Sequence, residues 1–262
     1  MTDKKDFTQS LSLVREFSKK RKFNQTVDIV ITLKDLNFKK PEENIDTFVT
    51  LPHTRGKQPK ICAFVGPDLA DKAKVFDRVV VQKEFAKFED QKLANQLASG
   101  YDVFIAQANL MGQIATYFGK ILGPRGKMPN PKGGAVVPPT ANLEALKVKF
   151  SKTVRLQTKK ELNVQAPIGQ ENMKDEDIAD NAMAVYNAMI TALPQDTANI
   201  KEVYVKFTMG PSIKLGQSKE DIQKKLEEKA KPKKQPKTAK PKAAKKAIKK
   251  KAKEKVKEDA AV

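Results

Sequence analysis

Residues Ile61-Cys-Ala-Phe-Val65 form an uninterrupted apolar stretch, whereas Val27-Asp-Ile-Val-Ile-Thr-Leu33 carries large apolar side chains at every second position. A strand that is apolar throughout is typical of a parallel sheet covered by helices on both faces. A strand with a period of two is typical of a sheet with one buried face. The sequence therefore predicts two kinds of sheet in one chain.

Two further short apolar runs follow the first, Val79-Val-Val81 and Tyr101-Asp-Val-Phe-Ile-Ala106. Helical patterns separate or follow these runs, at residues 68–76, 90–98 and 140–150. Strands that alternate with helices in this way predict a mostly parallel sheet. We therefore expect residues 59–152 to form a Rossmann-like, three-layer α/β domain.

The period of two returns on both sides of this unit. The outer segments predict strands at residues 27–33, 47–51, 154–156, 162–168 and 203–207, with helices at residues 7–19 and 175–193. The pattern around Thr158-Lys-Lys-Glu161 favours a hairpin between two of these strands.

The outer segments share alternating strand patterns that the middle lacks, so we expect them to form one α+β domain that is split in the chain. Domain I would consist of residues 1–58 and 153–217, with residues 59–152 inserted as domain II. The chain would cross between them near residues 52–60 and 150–154, and two adjacent crossings favour a hinge. The fold class is therefore α/β, followed by a lysine-rich tail at residues 218–262.

The charge balance indicates an anionic partner. The 262 residues include 51 Lys and Arg against 31 Asp and Glu, a net charge of +20. The tail alone contains 18 lysines and 7 acids, yet the remainder is also basic. Such a balance favours nucleic acid. A membrane is not expected, because no apolar run approaches the roughly 20 residues that span a bilayer and the start lacks a secretory apolar core.

The tail is rich in Lys, Ala, Pro and Glu and poor in large apolar side chains. A segment of this composition cannot bury enough surface to offset the entropy of ordering, so we expect it to be mobile when free.

The sequence contains few of the residues on which enzyme active sites commonly depend. His53 is the only histidine and Cys62 the only cysteine, so histidine triads and multi-ligand zinc sites are excluded. Cys62 lies in an apolar strand and is expected to be a small core residue. No catalytic residue, metal or cofactor is expected, and the lack of disulfides indicates the cytoplasm.

The stretch Gly119-Lys-Ile-Leu-Gly-Pro-Arg-Gly-Lys-Met-Pro-Asn-Pro-Lys-Gly-Gly134 combines glycines and prolines with cations. Its basic side chains are Lys120, Arg125, Lys127 and Lys132. Such a loop suits a polyanion, but a loop can also be shaped to pack one domain. It is not a P-loop, because Ile121 occupies the first glycine position and Met128 the Ser or Thr position.

Four stretches together resemble the ribosomal protein "L one" family, large ribosomal subunit protein one. They are Arg21-Lys-Phe-Asn-Gln-Thr-Val27, Leu51-Pro-His-Thr-Arg-Gly-Lys57, the loop above and Thr208-Met-Gly-Pro-Ser212. Their order and spacing cover about residues 10–215. The short turn after Leu33 and the lysine-rich tail indicate the archaeal type.

The resemblance implies an rRNA-binding site in domain I. The implied residues are Lys22, Phe23, Thr26, Thr208, Met209 and Gly210, with Lys159, Lys160 and Lys206 as lesser candidates for phosphate contact. Glu202 stands where related proteins often carry a small hydroxyl residue near the RNA. Phe207 replaces the more usual Thr or Ser before Thr-Met-Gly. Both are therefore left out of the site.

The resemblance also implies a function without catalysis. A family member binds large-subunit rRNA as a monomer within the ribosome, forms the mobile stalk near the E site beside other ribosomal components, and assists release of deacylated tRNA. It also binds its own mRNA as a repressor. Two alternatives stay open from the residues alone. One is a nucleotide-binding α/β enzyme, and the other is a basic RNA- or DNA-binding assembly protein that acts through its tail.

Overall fold

The structure of the protein, a computed structural model, describes residues 3–36, 43–158 and 161–230. Packing divides the chain after Lys219, and Met1–Lys219 forms the larger unit. None of the helices in the described part of the chain has both the length and the hydropathy that a bilayer-spanning segment requires.

The described residues form six α-helices and ten strands. The helices are α1 Lys4–Phe17, α2 Gln91–Gly100, α3 Met111–Leu122, α4 Leu143–Lys152, α5 Asp175–Ala192 and α6 Lys219–Ala230. The strands are β1 Thr26–Leu33, β2 Asp46–Thr50, β3 Ile61–Val65, β4 Arg78–Val81, β5 Val103–Gln107, β6 Val136–Val137, β7 Thr153–Gln157, β8 Asn163–Gln170, β9 Ile200–Phe207 and β10 Ser212–Lys214.

The first sheet joins the beginning of the chain to its later part. Its strand order is β10-β9-β1-β8, and β1 runs antiparallel to both neighbours, so that Ile29 lies opposite Ala166 on one side and Val205 on the other. Every second residue of β1 is buried. Helices α1 and α5 pack on this sheet and on each other, with Phe7 and Tyr186 in an edge-to-face contact. The predicted half-buried strand is confirmed.

The predicted hairpin between residues 154–156 and 162–168 is wrong. Strand β7 pairs antiparallel with β2 in a two-stranded sheet, whereas β8 pairs with β1 in the four-stranded sheet. A period of two reports which face of a strand is buried and not which strand lies beside it. The Arg155 guanidinium donates to both carboxylate oxygens of Asp46 at 2.7 Å, which ties β7 to β2.

The third sheet is parallel throughout, with the order β4-β3-β5-β6. All five residues of β3 are buried, and the side chains on its two faces belong to two separate apolar clusters. On one face Phe64 packs against Phe118, with ring centroids 4.7 Å apart. Burial raises the pKa of the Cys62 thiol to about 12, so it is an inert core residue. The covered parallel sheet is confirmed.

Two local features of this region differ from the sequence analysis. Helix α3 was not expected, and it extends through Gly119 into the glycine-rich stretch, so that the irregular loop begins only near residue 123. Its buried face consists of Ile114, Phe118 and Leu122, a helical spacing that the glycines obscure. Residues 68–76, predicted to be helical, form two short 3₁₀ turns instead.

A buried polar residue fastens the crossing segment that follows β2. Asn181 lies within α5 and is fully buried. Its Oδ1 accepts from the backbone N–H of His53 at 3.0 Å, and its Nδ2 donates to the carbonyl of Ile168 at 2.8 Å. One side chain therefore connects α5, β8 and the segment after Leu51.

We expect Asn181→Leu to lower the free energy of unfolding by about 1–3 kcal/mol, because it leaves buried backbone groups without partners. Asn187→Leu is the matched control, since Asn187 is exposed on the same helix. Urea unfolding followed by circular dichroism measures both. Equal losses in the two variants would contradict the assigned role of Asn181.

Candidate nucleic-acid interface

Two threonines join the start of β1 to the end of β9. The Thr208 N–H donates to the Thr26 carbonyl at 3.0 Å. The Thr208 hydroxyl accepts from the Thr26 N–H at 3.1 Å and lies 3.2 Å from the Thr26 carbonyl, to which it can donate. Backbone and side chain of one residue thus bind both polar backbone groups of the other. The structure brings together the two predicted segments, which are 182 residues apart in the chain.

The turn at residues 208–210, here the Thr208 turn, is held by a buried glutamine. The backbone N–H of Met209 donates to Oε1 of Gln25 at 3.3 Å, and Gln25 is almost fully buried. The Met209 side chain is nevertheless 59% exposed, and that of Phe23 is 52% exposed. Two large apolar side chains are therefore presented to solvent, and Gln25 holds the backbone of one of them, Met209.

Gly210 allows the close approach of the Thr208 turn to the end of α1. A Cβ at this position would lie 2.5 Å from Oγ of Ser18 and 3.2 Å from Cβ of Phe207. The Gly210 N–H donates to the Phe207 carbonyl at 3.1 Å, which closes the turn. Phe207 itself is buried, which accounts for its place outside the proposed site.

Lys22 lies in a basic hollow of about 320 Å³ beside Phe23. The hollow is also lined by Lys20, Arg21, Asn24, Glu171 and Asn172. Of these neighbours, Lys20, Arg21 and Asn24 were missed as site candidates, although the run Lys19-Lys-Arg-Lys22 could have indicated them.

Arg15, on α1, binds the segment that contributes Glu171 and Asn172 to this hollow. Its guanidinium donates to Asp175 Oδ1 at 2.7 Å and to the backbone carbonyls of Glu171 and Met173 at 2.7 and 2.9 Å. The same group lies 6.0 Å from the centre of the Phe207 ring. Five donors in a fixed fork suit this kind of multiple contact. The turn at residues 171–173 is thereby held beside the Thr208 turn.

The sheet surface that continues from Thr26 carries mixed charge. Lys206 stands opposite Asp28 in the register of β9 with β1. Burial raises the pKa of the Asp28 carboxyl, and Lys206 partly opposes that effect. The charge of Lys206 is therefore partly offset by the neighbouring carboxyl group of Asp28.

Further along β9, Glu202 is held by two donors. It accepts hydrogen bonds from the Tyr204 hydroxyl and, at 2.9 Å, from the Lys214 ammonium. These bonds lower the pKa of Glu202, so the carboxylate that was left out of the site is ionised and partnered.

Two of the four cations of the glycine-rich stretch use their donors inside the protein. Arg125 donates to Ser99 Oγ at 2.8 Å and to Asn95 Oδ1 at 3.1 Å. Lys127 donates to the carbonyls of Ala98 and Tyr101 at 2.9 and 2.6 Å. Both side chains fasten the loop to α2 and the residue after it. Lys120 and Lys132 remain exposed.

The rest of this loop packs against β2 and β7. The Gly126 carbonyl accepts from Nη1 of Arg155 at 2.7 Å. A Cβ on Gly133 would lie 2.9 Å from the ring of Phe48. The loop is therefore shaped largely by packing within the chain. Lys159 and Lys160, the other predicted phosphate contacts, lie outside the described residues.

The chain is similar to known proteins over most of its length. The model of the Ribosomal protein L1p/L10e family matches residues 14–211. A large ribosomal subunit protein uL1 from Thermococcus kodakarensis is 43% identical over 218 residues, which cover 81% of this chain and 98% of the relative. The uL1 protein of Methanocaldococcus jannaschii is 40% identical over 225 residues, covering 85% and 100%. That of Nanoarchaeum equitans is 42% identical over 201 residues, covering 75% and 93%.

The chain therefore belongs to the Ribosomal protein L1p/L10e family. It is a structural ribosomal protein and not an enzyme, so the family predicted from the four sequence stretches is confirmed. All three relatives quoted are archaeal, as the archaeal type predicted. Within the described residues, no group of three His, Cys, Asp or Glu side chains is arranged to hold a metal ion.

We expect Gly210→Ala to lower the free energy of unfolding by about 1–3 kcal/mol, because the new methyl group overlaps Ser18 and displaces the turn. Gly119→Ala is the control, since a Cβ there meets nothing within 4 Å in α3. That change should raise stability by about 0.5–1 kcal/mol through helix propensity. Thermal denaturation measures both, and a loss of the same size at both positions would contradict this account.

Proposed function

We propose that this protein binds large-subunit rRNA through the surface around the Thr208 turn. The residues that would contact RNA are Lys22, Phe23, Thr26, Thr208, Met209 and Gly210. The observation that carries the proposal is the exposure of two large apolar side chains, Met209 on the Thr208 turn and Phe23 at the edge of the basic hollow. Family membership supports the same assignment.

The chemistry of this surface suits folded RNA. RNA is recognised by shape, by contacts to the 2′-hydroxyl and by stacking of unpaired bases on flat or apolar side chains. Phe23 and Met209 offer apolar faces, and the basic hollow attracts phosphate. Exposed apolar groups rimmed by polar ones mark interaction sites. Lys206 would add a weaker phosphate contact, since Asp28 competes for it.

The division into domains is part of the proposal. We place residues 1–58 and 153–217 in domain I, which would bind rRNA, and residues 59–152 in domain II. The separate four-stranded sheets support this division, since one is antiparallel and the other parallel. Residues 218–262 would form a basic extension.

Within the large subunit, the protein would form the mobile stalk near the E site. It would act in the cytoplasm as a monomer beside other ribosomal components. Domain II, carried on the hinge, would help to release deacylated tRNA. The same domain I surface would bind the protein's own mRNA where it folds like the rRNA site, and so repress translation.

Met209→Asp should weaken binding to large-subunit rRNA by about 1–3 kcal/mol, or roughly fivefold to 150-fold, because it replaces an apolar contact with a charge of the wrong sign. Val148→Asp is the matched control, since Val148 is equally exposed but lies on α4. Mobility-shift titration at one fixed salt concentration measures both. Equal affinities in two folded variants would reject the site.

Lys22→Gln should reduce the slope of log affinity against log salt by slightly less than one unit, as for loss of one phosphate contact. Lys83→Gln, at an exposed lysine in the 3₁₀ segment Gln82–Glu89, should leave the slope unchanged. The measurement is rRNA affinity at four or more salt concentrations. An unchanged slope for Lys22→Gln would remove Lys22 from the interface.

A further inference from the structure

A second basic cavity lies where the glycine-rich loop meets β7, with a volume of about 350 Å³. Its charged lining consists of Arg55, Lys57, Asp102, Lys127 and Arg155, and its neutral polar lining of Thr26, Asn130 and Thr153. Four of the five charged side chains are cationic. The lining therefore favours an anion, and Thr26 places the cavity next to the proposed rRNA surface.

Arg55 is the group in this cavity whose hydrogen bonding is incomplete. Its Nε is buried and has no hydrogen-bond acceptor among the described residues. Burial lowers the pKa of the Arg55 guanidinium, and the nearby Asp102 partly opposes this. Asp102 is itself engaged, because its Oδ2 accepts from the Lys60 N–H at 3.3 Å. A buried donor without an acceptor is costly, so an anionic acceptor would be favourable here.

Two other cations that line the cavity, Arg155 and Lys127, already donate hydrogen bonds to groups within the protein. Arg155 is held by Asp46 and the Gly126 carbonyl, and Lys127 by two backbone carbonyls. They contribute positive potential from fixed positions, while Arg55 retains an open donor. Arg155 and Lys127 therefore help to hold the cavity together, whereas Arg55 can bind a ligand.

The backbone between Arg55 and Lys57 is strongly constrained. Gly56 has a φ of +84°, and a Cβ there would lie 2.8 Å from the side chain of Gln170. Glycine is required at such a position. Arg55 and Lys57 are therefore presented from a turn that is packed against the end of β8, which is the pre-organisation that a binding site needs.

We propose that this cavity binds a phosphate group, with Arg55 as the principal donor and Lys57 as the second cation. A guanidinium matches the geometry of phosphate oxygens and donates to two of them. The phosphate is either a phosphodiester of the bound rRNA or a free phosphate ion. The first source rests on the proposed function, through Thr26, and the second does not.

The test uses the full chain with Arg55→Gln, which removes the charge, and Arg78→Gln as the matched control. Arg78 is exposed on β4 and does not line the cavity. In the first arm, orthophosphate is added up to millimolar concentration at constant ionic strength, and Tm is measured. Binding raises Tm by mass action. A rise in the wild type and Arg78→Gln that is absent in Arg55→Gln supports the free ion as ligand.

In the second arm, rRNA affinity is measured at fixed salt. If the ligand is a phosphodiester, Arg55→Gln weakens binding by about tenfold, the scale of one charge-assisted contact, whereas Arg78→Gln does not. Lys57→Gln repeats both arms and replaces Arg55→Gln if that variant fails to fold. Met209→Asp separates the two proposals, because it loses rRNA affinity but keeps any response to orthophosphate.

The proposal is overturned if Arg55→Gln and Lys57→Gln both behave like Arg78→Gln in both arms. The orthophosphate arm does not depend on rRNA binding, so failure of the proposed function would leave this result interpretable. The cavity is supported as a phosphate site if Arg55→Gln, but not Arg78→Gln, loses either the orthophosphate-induced rise in Tm or rRNA affinity, and the arm that shows the loss identifies the source.

Discussion

Strand β1 must be paired on both edges, and the rest of the structure follows from that requirement. Its buried residues form the middle of the first sheet, and its backbone groups need partners on both sides. Those partners are β8 and β9, which come more than 130 residues later in the chain. The residues between β1 and β8 therefore lie outside the first sheet. The parallel sheet of β3 to β6 is formed by part of this intervening segment.

The contacts where the chain leaves and returns are mostly polar and specific. Asn181 binds the segment after β2, Arg155 joins β7 to β2 and to the glycine-rich loop, and Gly56 packs on Gln170. An apolar contact tolerates sliding, whereas directed hydrogen bonds do not. Of these residues, Arg155 also lines the proposed phosphate cavity around Arg55. One side chain therefore both joins two strands and adds positive potential to that cavity.

The sequence was sufficient to predict the types of the two four-stranded sheets, but it did not predict all of the strand pairings or the separate sheet of β2 and β7. The alternation in β1 and the continuous apolar residues of β3 correctly predicted one half-covered and one fully covered sheet. The partner of β7 could not be predicted, because alternation contains no information about neighbours. Helix α3 was missed since its glycines weaken the helical pattern. Family motifs indicated Phe23 and Met209, but only the structure shows that both are exposed and that Lys127 is used internally.

The hydrogen bonds between Thr26 and Thr208 span 182 residues, which gives this part of the fold a very high contact order. Contacts of such long range form slowly, because the entropy of closing the loop opposes them. During synthesis, a nascent chain that lacks β9 has neither the second partner of β1 nor the Thr208 turn. The surface proposed to bind rRNA is thus completed only after nearly all of residues Met1–Lys219 have been made, so an unfinished chain does not yet present that surface.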